Sequence, residues 1–180
     1  AITPIPSEAE LRMTKIFIGI DPGLTGAIGS LDSEGKVRAV IDTPILDTIS
    51  SSGSKRSEYN IQAMGGVLKA FINGNGPETV HVALEGVQPF PKAGVVPMFG
   101  LGRGLGLWEG ILTALGFVYT KIRPQDWKAA LMRGMRGGKE TSIVRAQQLF
   151  PDLDWSKKKY HGRADSLLLA EYLRRTQTVN

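Results

Sequence analysis

Apolar positions along this chain fall into short runs in the first third and helical stripes after it. Residues 15–20, KIFIGI, are Ile-rich and alternate poorly, which suits a strand buried on both faces. Two further apolar runs, 27–31 and 37–41, flank Asp32-Ser33-Glu34-Gly35, a hairpin turn. Residues 47–58, DTISSSGSKRSE, are polar and Ser-rich and predict a mobile loop. From Tyr59 to Ile72 apolar residues stand at 61, 64, 67, 68, 71 and 72, the spacing of one helix face, and Asn73-Gly74-Asn75-Gly76-Pro77 ends the pattern. VHVAL, residues 80–84, predicts a strand that runs straight into Glu85. Residues 99–115 read as a helix despite their glycines, and 117–122 as another strand. Pro124 opens a short helix at its first turn, where a missing N–H costs nothing. Residues 138–150 and 161–174 complete the set as helices, the last apolar at its centre (LLLA).

Three strands, a helix, a strand, a helix, a strand and then helices predict an α/β domain. The first three strands form an antiparallel meander, and the later ones arrive through helical crossovers. That is the order of the ribonuclease H-like fold: a mixed five-stranded sheet with helices on both faces. The 180 residues suggest one domain, assigned to 13–180. Residues 1–12, AITPIPSEAELR, are weakly patterned and read as a flexible leader or an expression remnant, with Met13 a candidate start.

Composition narrows the chemistry. With no cysteine there is no disulfide, thiolate metal site or Cys nucleophile. No apolar run approaches the roughly 18 residues of a membrane span, so no membrane partner is expected. The net charge is +5, but residues 121–163 alone hold eleven Lys/Arg against four acids, a surplus of +7 that leaves −2 for the remainder. A basic half on a near-neutral scaffold suits either a polyanion such as nucleic acid or an ordinary solvated surface.

Two strands end on an acid in the same way, IFIGI-Asp21 and VHVAL-Glu85. If the first and fourth strands lie side by side and parallel, both acids share one sheet edge. Asp165 lies on the last helix, one turn after His161 and one turn before the buried Leu168-Leu169 stripe. Carboxylates gathered near an apolar core repel one another and should have raised pKa values. A divalent cation removes that conflict. Oxygen ligands suit Mg²⁺, with Mn²⁺ a ready substitute. Two such ions could activate water and stabilise the leaving oxygen of a phosphodiester, with His161 assisting. Taken singly, each acid has a plain structural reading: a turn starter, a strand-end surface residue, a helix acid.

Asp21-Pro22-Gly23 with Gly26, then Ala83-Leu84-Glu85, then His161 and Asp165 in HGRADSLLLA resemble, in that order, the active-site segments of the RuvC-like Holliday-junction resolvases. FGLGRGLGLWEGIL points to their plant chloroplast branch. The resemblance runs from about residue 15 to 173. It implies a homodimer that nicks a four-way DNA junction symmetrically with Mg²⁺, leaving 5′-phosphate and 3′-hydroxyl ends, with no nucleotide cofactor. Asp21, Glu85, Asp165 and His161 would be its catalytic and metal-binding residues. One spacing departs: many members put two residues between the last pair, whereas three separate His161 from Asp165 here.

The same resemblance makes Phe90, bracketed by prolines in the segment after Glu85, a wedge that stacks on a base at the branch point; the alternative is that it folds onto the core. Glycines 102, 106 and 110 line one helix face beside Arg103, suited to a second subunit, to DNA, or to tight packing within one chain. Lys128 and Lys139 fall on the family's lysine positions, and Arg136 and Lys158 are further candidates for DNA. Lys157-Lys158-Lys159 is equally a solvated run, and Lys55-Arg56 could reach DNA. Gly23 and Gly26 are expected to keep space open in front of Asp21. The rival readings are a nuclease for RNA–DNA hybrids or flaps, a two-lobed phosphate-binding ATPase that 180 residues cannot readily supply, and a non-catalytic junction binder.

Overall fold

The computed structural model describes residues 15–49, 51–86, 88, 94–135, 137–138 and 140–178. The leader assigned to residues 1–12 lies outside them. In chain order the elements are β1 (Ile16–Ile20), β2 (Ala27–Leu31), β3 (Val37–Asp42), β4 (Ile45–Ile49), β5 (Lys55–Tyr59), α1 (Ile61–Ile72), β6 (Val80–Glu85), α2 (Val95–Ala114), β7 (Tyr119–Ile122), α3 (Pro124–Leu131), α4 (Glu140–Leu149), a 3₁₀ turn (Lys158–Tyr160) and α5 (His161–Thr178). Five strands form one sheet in the order β3-β2-β1-β6-β7. β1 pairs antiparallel with β2 and β2 with β3; β1–β6 and β6–β7 are parallel. The mixed sheet expected from the sequence is therefore present, with β1 at its centre.

All five residues of β1 are buried, which explains why its run does not alternate. Ile16, Ile18 and Ile20 join Met64 and Leu68 of α1 and Trp108 and Leu112 of α2 on one face. Phe17 joins Trp127 of α3, Ala146 of α4 and Ala164, Leu167 and Leu168 of α5 on the other. Between them Gly19 lets α5 lie directly on the strand: a Cβ there would sit 2.0 Å from Ser166 O and 2.6 Å from Ala170 N. α1 stops at its predicted signal but starts at Ile61, because Tyr59, where the helical pattern begins, belongs to β5. Asn60 caps it by accepting from Ala63 N at 3.1 Å, and Asn73 closes it in the left-handed conformation, φ 46°.

Two expectations change. The polar stretch 47–58 is not simply a loop, for its two ends form the β4–β5 ribbon in the register Ile45↔Tyr59 through Ile49↔Lys55. Backbone pairing needs no apolar face, and this ribbon is exposed apart from Tyr59, so its polar composition concealed it. The glycine stripe 102, 106 and 110 does not serve tight packing among the described residues, because a Cβ at any of the three would meet none of them within 4 Å. The close approach is made by Gly104, where a Cβ would lie 2.1 Å from Pro22 O and 2.3 Å from the Tyr59 hydroxyl.

Candidate active site

The β1–β6 register pairs Ile20 with Leu84, so the next residues, Asp21 and Glu85, leave the same end of two adjacent parallel strands. The turn after β1 is closed by Gly23 N–H on Asp21 Oδ1 at 3.3 Å, Gly26 N–H on Gly23 O at 2.9 Å and Asp21 N–H on Ala27 O at 2.9 Å. Gly26 is required for this closure, since a Cβ would lie 2.2 Å from Asp21 O. Gly23 is not, its nearest neighbour being 3.6 Å away. Thus Gly26 shapes the turn itself rather than a space in front of the acid. α5 begins against the same turn: a Cβ on Gly162 would meet Thr25 O at 2.3 Å. Arg163 also grips Asp42 at the end of β3 through two hydrogen bonds. The start of α5, with His161 and Asp165, is thereby held against the strand ends.

Electrostatics show that the three acids face one another. Asp21 is pushed up to about 6, first by burial and then by the charge of Asp165, against the pull of Gly23 N–H and Lys128. Glu85 is pushed up to about 7 by burial, then by Asp21 and Asp165, against Trp127 and Lys128. Burial also raises Asp165, opposed by the Ser142 hydroxyl, Lys128 and His161. Asp165 Oδ1 is buried without a hydrogen-bond partner. Among the described residues, no three His, Asp or Glu side chains converge tightly enough to hold an ion as they stand. The carboxylates are within electrostatic reach of one another without forming a finished cage.

Beside them opens a cleft of about 470 Å³ lined by Lys128, Met132, Thr141, Ser142, His161 and Asp165, among others. His161 Nδ1 lies 3.3 Å from Lys158 O. A carbonyl can only accept, so that contact places the proton on Nδ1 and leaves the Nε2 lone pair available as a base. Lys128 acts on all three acids and lies 5.0 Å over the Trp127 ring.

The other sequence candidates separate. Lys158 Nζ pairs with Glu140 at 2.7 Å while its side chain stays 88% exposed. Arg103 lines a second cleft of about 420 Å³ with Arg56, Tyr59, Val96 and Phe99, between the ribbon and α2. Phe90, Arg136 and Lys139 lie outside the described residues. Sequence reasoning missed three residues that build the site. Trp127 donates to Glu85 Oε1 at 3.0 Å, Ser142 faces Asp165, and Tyr59 donates its hydroxyl toward Pro22 O at 3.1 Å and Gly100 O at 3.0 Å. Only Trp127 had a signal, a large apolar residue next to the candidate Lys128.

No family model matches the chain. Over 136 residues, 69% of its length, it is 33% identical to the chloroplastic Holliday junction resolvase MOC1 of Chlamydomonas reinhardtii. The chain spans only 15% of that relative. The structure of T. thermophilus RuvC in complex with a Holliday junction substrate superposes with TM-score 0.57 at 19% identity, covering 91% of this chain and 97% of that one. The chain has the fold of RuvC. A second Thermus thermophilus RuvC structure agrees, with TM-score 0.51 at 17% identity and the same coverage, 91% and 97%. That shared fold is the ribonuclease H-like sheet described above, and the sequence likeness is to the chloroplastic resolvase.

The raised carboxyls carry a pH signature. A carboxyl whose native pKa exceeds its unfolded value binds more protons folded than unfolded, so stability falls as pH rises through that interval. For Asp21 and Glu85 the interval runs from 3.8 and 4.5 to about 6 and about 7. In chelator, the native state should therefore lose stability between pH 4 and pH 7 at this site. Urea midpoints across that range should fall less steeply for Glu85→Gln than for the unsubstituted protein; equal slopes would show that the Glu85 carboxyl is not raised in the native state.

Proposed function

We propose that the protein is a metal-dependent endonuclease that resolves four-way DNA junctions by paired, symmetric nicks leaving 5′-phosphate and 3′-hydroxyl ends. The observation that carries this reading is the cluster of Asp21, Glu85 and Asp165, half-buried, mutually repelling and bordered by the Lys128–His161 cleft. The donor set is all carboxylate oxygen, and the unpartnered Asp165 Oδ1 is a buried acceptor in need of a cation or donor. These residues fit Mg²⁺ or Mn²⁺, held by Asp21, Glu85 and Asp165 with His161 beside them. Two such ions supply an activated water and charge stabilisation at the leaving oxygen. The chain's own residues do the rest. Lys128 offers a cation to the scissile phosphate, and His161 Nε2 can take a proton from the attacking water. Arg103 and Arg56 present charge to backbone phosphates on the other side of the Asp21 turn.

Incubation with a four-way junction, a flap and an RNA–DNA hybrid, each with Mg²⁺, tests the reading. Symmetric nicks confined to the junction support it, and preferential cutting of the hybrid or flap refutes it.

A homodimer would set two such sites on one junction. The open glycine face of α2 supports this, because a Cβ on residue 102, 106 or 110 would meet nothing within 4 Å among the described residues. Gly106→Leu is expected to leave the subunit folded, and to strengthen α2 by up to about 1 kcal/mol from helix propensity. The same change should convert dimer to monomer in sedimentation. A dimer that survives it would place the interface elsewhere.

A further inference from the structure

Trp127 is fully buried in α3, yet it touches polar groups on two sides. Its indole N–H donates to Glu85 Oε1 at 3.0 Å, and its ring lies 5.0 Å below the Lys128 ammonium. The surrounding cluster of Phe17, Ala83, Ile122, Leu131 and Leu168 is apolar and would accept a ring without an N–H. Packing alone therefore does not account for the indole. Nor does the segment's resemblance to DNA-contact sequences, because a side chain with 0% exposure reaches no DNA.

We propose that Trp127 is a positioning residue: its N–H fixes Oε1 of Glu85, leaving Oε2 as the oxygen free to ligate, and its face seats Lys128 among the acids. One side chain thereby sets both the carboxylate from β6 and the cation from α3. Glu85 is the last residue of its strand, and Gly86 N–H on Ile122 O extends the sheet one residue past it. An ordered carboxylate loses less freedom when it takes a cation. The inference rests on the proposed metal-dependent activity.

The test is Mn²⁺ binding by titration calorimetry at pH 8, with the thermal midpoint measured alongside. Trp127→Phe keeps an aromatic ring and loses the donor. It should weaken Mn²⁺ binding about tenfold, the usual scale for removing a hydrogen bond to a ligating group. Trp155→Phe is the control. That indole lies in the same cluster and donates to Phe150 O at 2.9 Å, so its loss lowers stability without reaching an acid. It should leave Mn²⁺ affinity within twofold. Unchanged affinity in W127F, or equal weakening in W155F, overturns the proposal. If W127F does not fold, site-specific replacement of Trp127 by 3-benzothienylalanine, which has sulfur in place of the N–H, gives the same contrast in an isosteric side chain. No Mn²⁺ binding by the unsubstituted protein overturns the metal reading itself, and the positioning role with it.

Discussion

Asp21→Asn is expected to lower junction cleavage by about 10³-fold or more while the protein still binds the junction in chelator. Loss of a charge-stabilising interaction worth several kcal/mol corresponds to a rate effect of that size. Asn keeps the shape and the carbonyl oxygen that accepts Gly23 N–H, so the turn should survive. The substitution also removes a buried charge that Asp165 and Glu85 oppose. In metal-free buffer at pH 7 the variant should accordingly be more stable than the parent. An upward displacement from 3.8 to about 6 is on the order of 2–3 kcal/mol at 1.36 kcal/mol per pKa unit. The combination is distinctive: most substitutions that destroy activity through misfolding also lower the melting point. Chelator melts, gel-shift titrations and strand-mapped cleavage would check it together. Cleavage that survives would remove Asp21 from the metal site. Junction binding lost in chelator would show that the Asp21 side chain itself, without any ion, is needed to hold DNA.

Gly19→Ala should produce the largest stability loss of any single methyl added to this chain. The added Cβ would lie 2.0 Å from Ser166 O and 2.6 Å from Ala170 N. Both are backbone atoms in the middle of α5 and cannot rotate away. Relief requires α5 to lift from β1, which opens the contacts of Leu167 and Leu168 with the sheet. Overpacking usually costs about 1–3 kcal/mol, and a clash against backbone on both sides belongs at or above the top of that range. Asp165 precedes Ser166, so the same displacement carries it away from Asp21 and Glu85. Gly19→Ala should thus lose cleavage at temperatures where it is still folded, and the raised pKa of Asp21 should relax toward its ordinary value. Denaturant unfolding and carboxyl titration by NMR would measure the two effects. A variant within 0.5 kcal/mol of the parent would mean that α5 does not rest on β1 as described. Gly23→Ala is the contrasting case, with ordinary space around its Cβ and little expected change.

Much of the architecture was legible because burial writes itself into composition. β1 and β6 read as strands because both faces are covered, and α1 because its apolar stripe runs up to the Asn73 stop. Glu85 and Asp21 were recognisable as a pair from their identical placement at strand ends, and the parallel β1–β6 register makes them neighbours. The β4–β5 ribbon was not legible. Its pairing is a main-chain matter, and side chains open to solvent on both faces leave no periodic trace.

By itself, then, the sequence determined the order of the main-sheet strands and the helices, the sheet's central strands, the acids at their ends and the basic bias of the second half. Those properties are local: they follow from which side chains a segment must hide and from where a turn must begin. Tertiary structure decided which polar groups meet across the chain. Only there does Trp127 reach Glu85, 42 residues away. Only there does Gly162 let α5 abut the Thr25–Gly26 turn, and Gly104 rather than Gly102 or Gly106 prove to be the glycine that packing needs. Distances between residues remote in sequence depend on how closely backbones approach. That approach is set by pairs of surfaces, and no single segment carries the imprint of both.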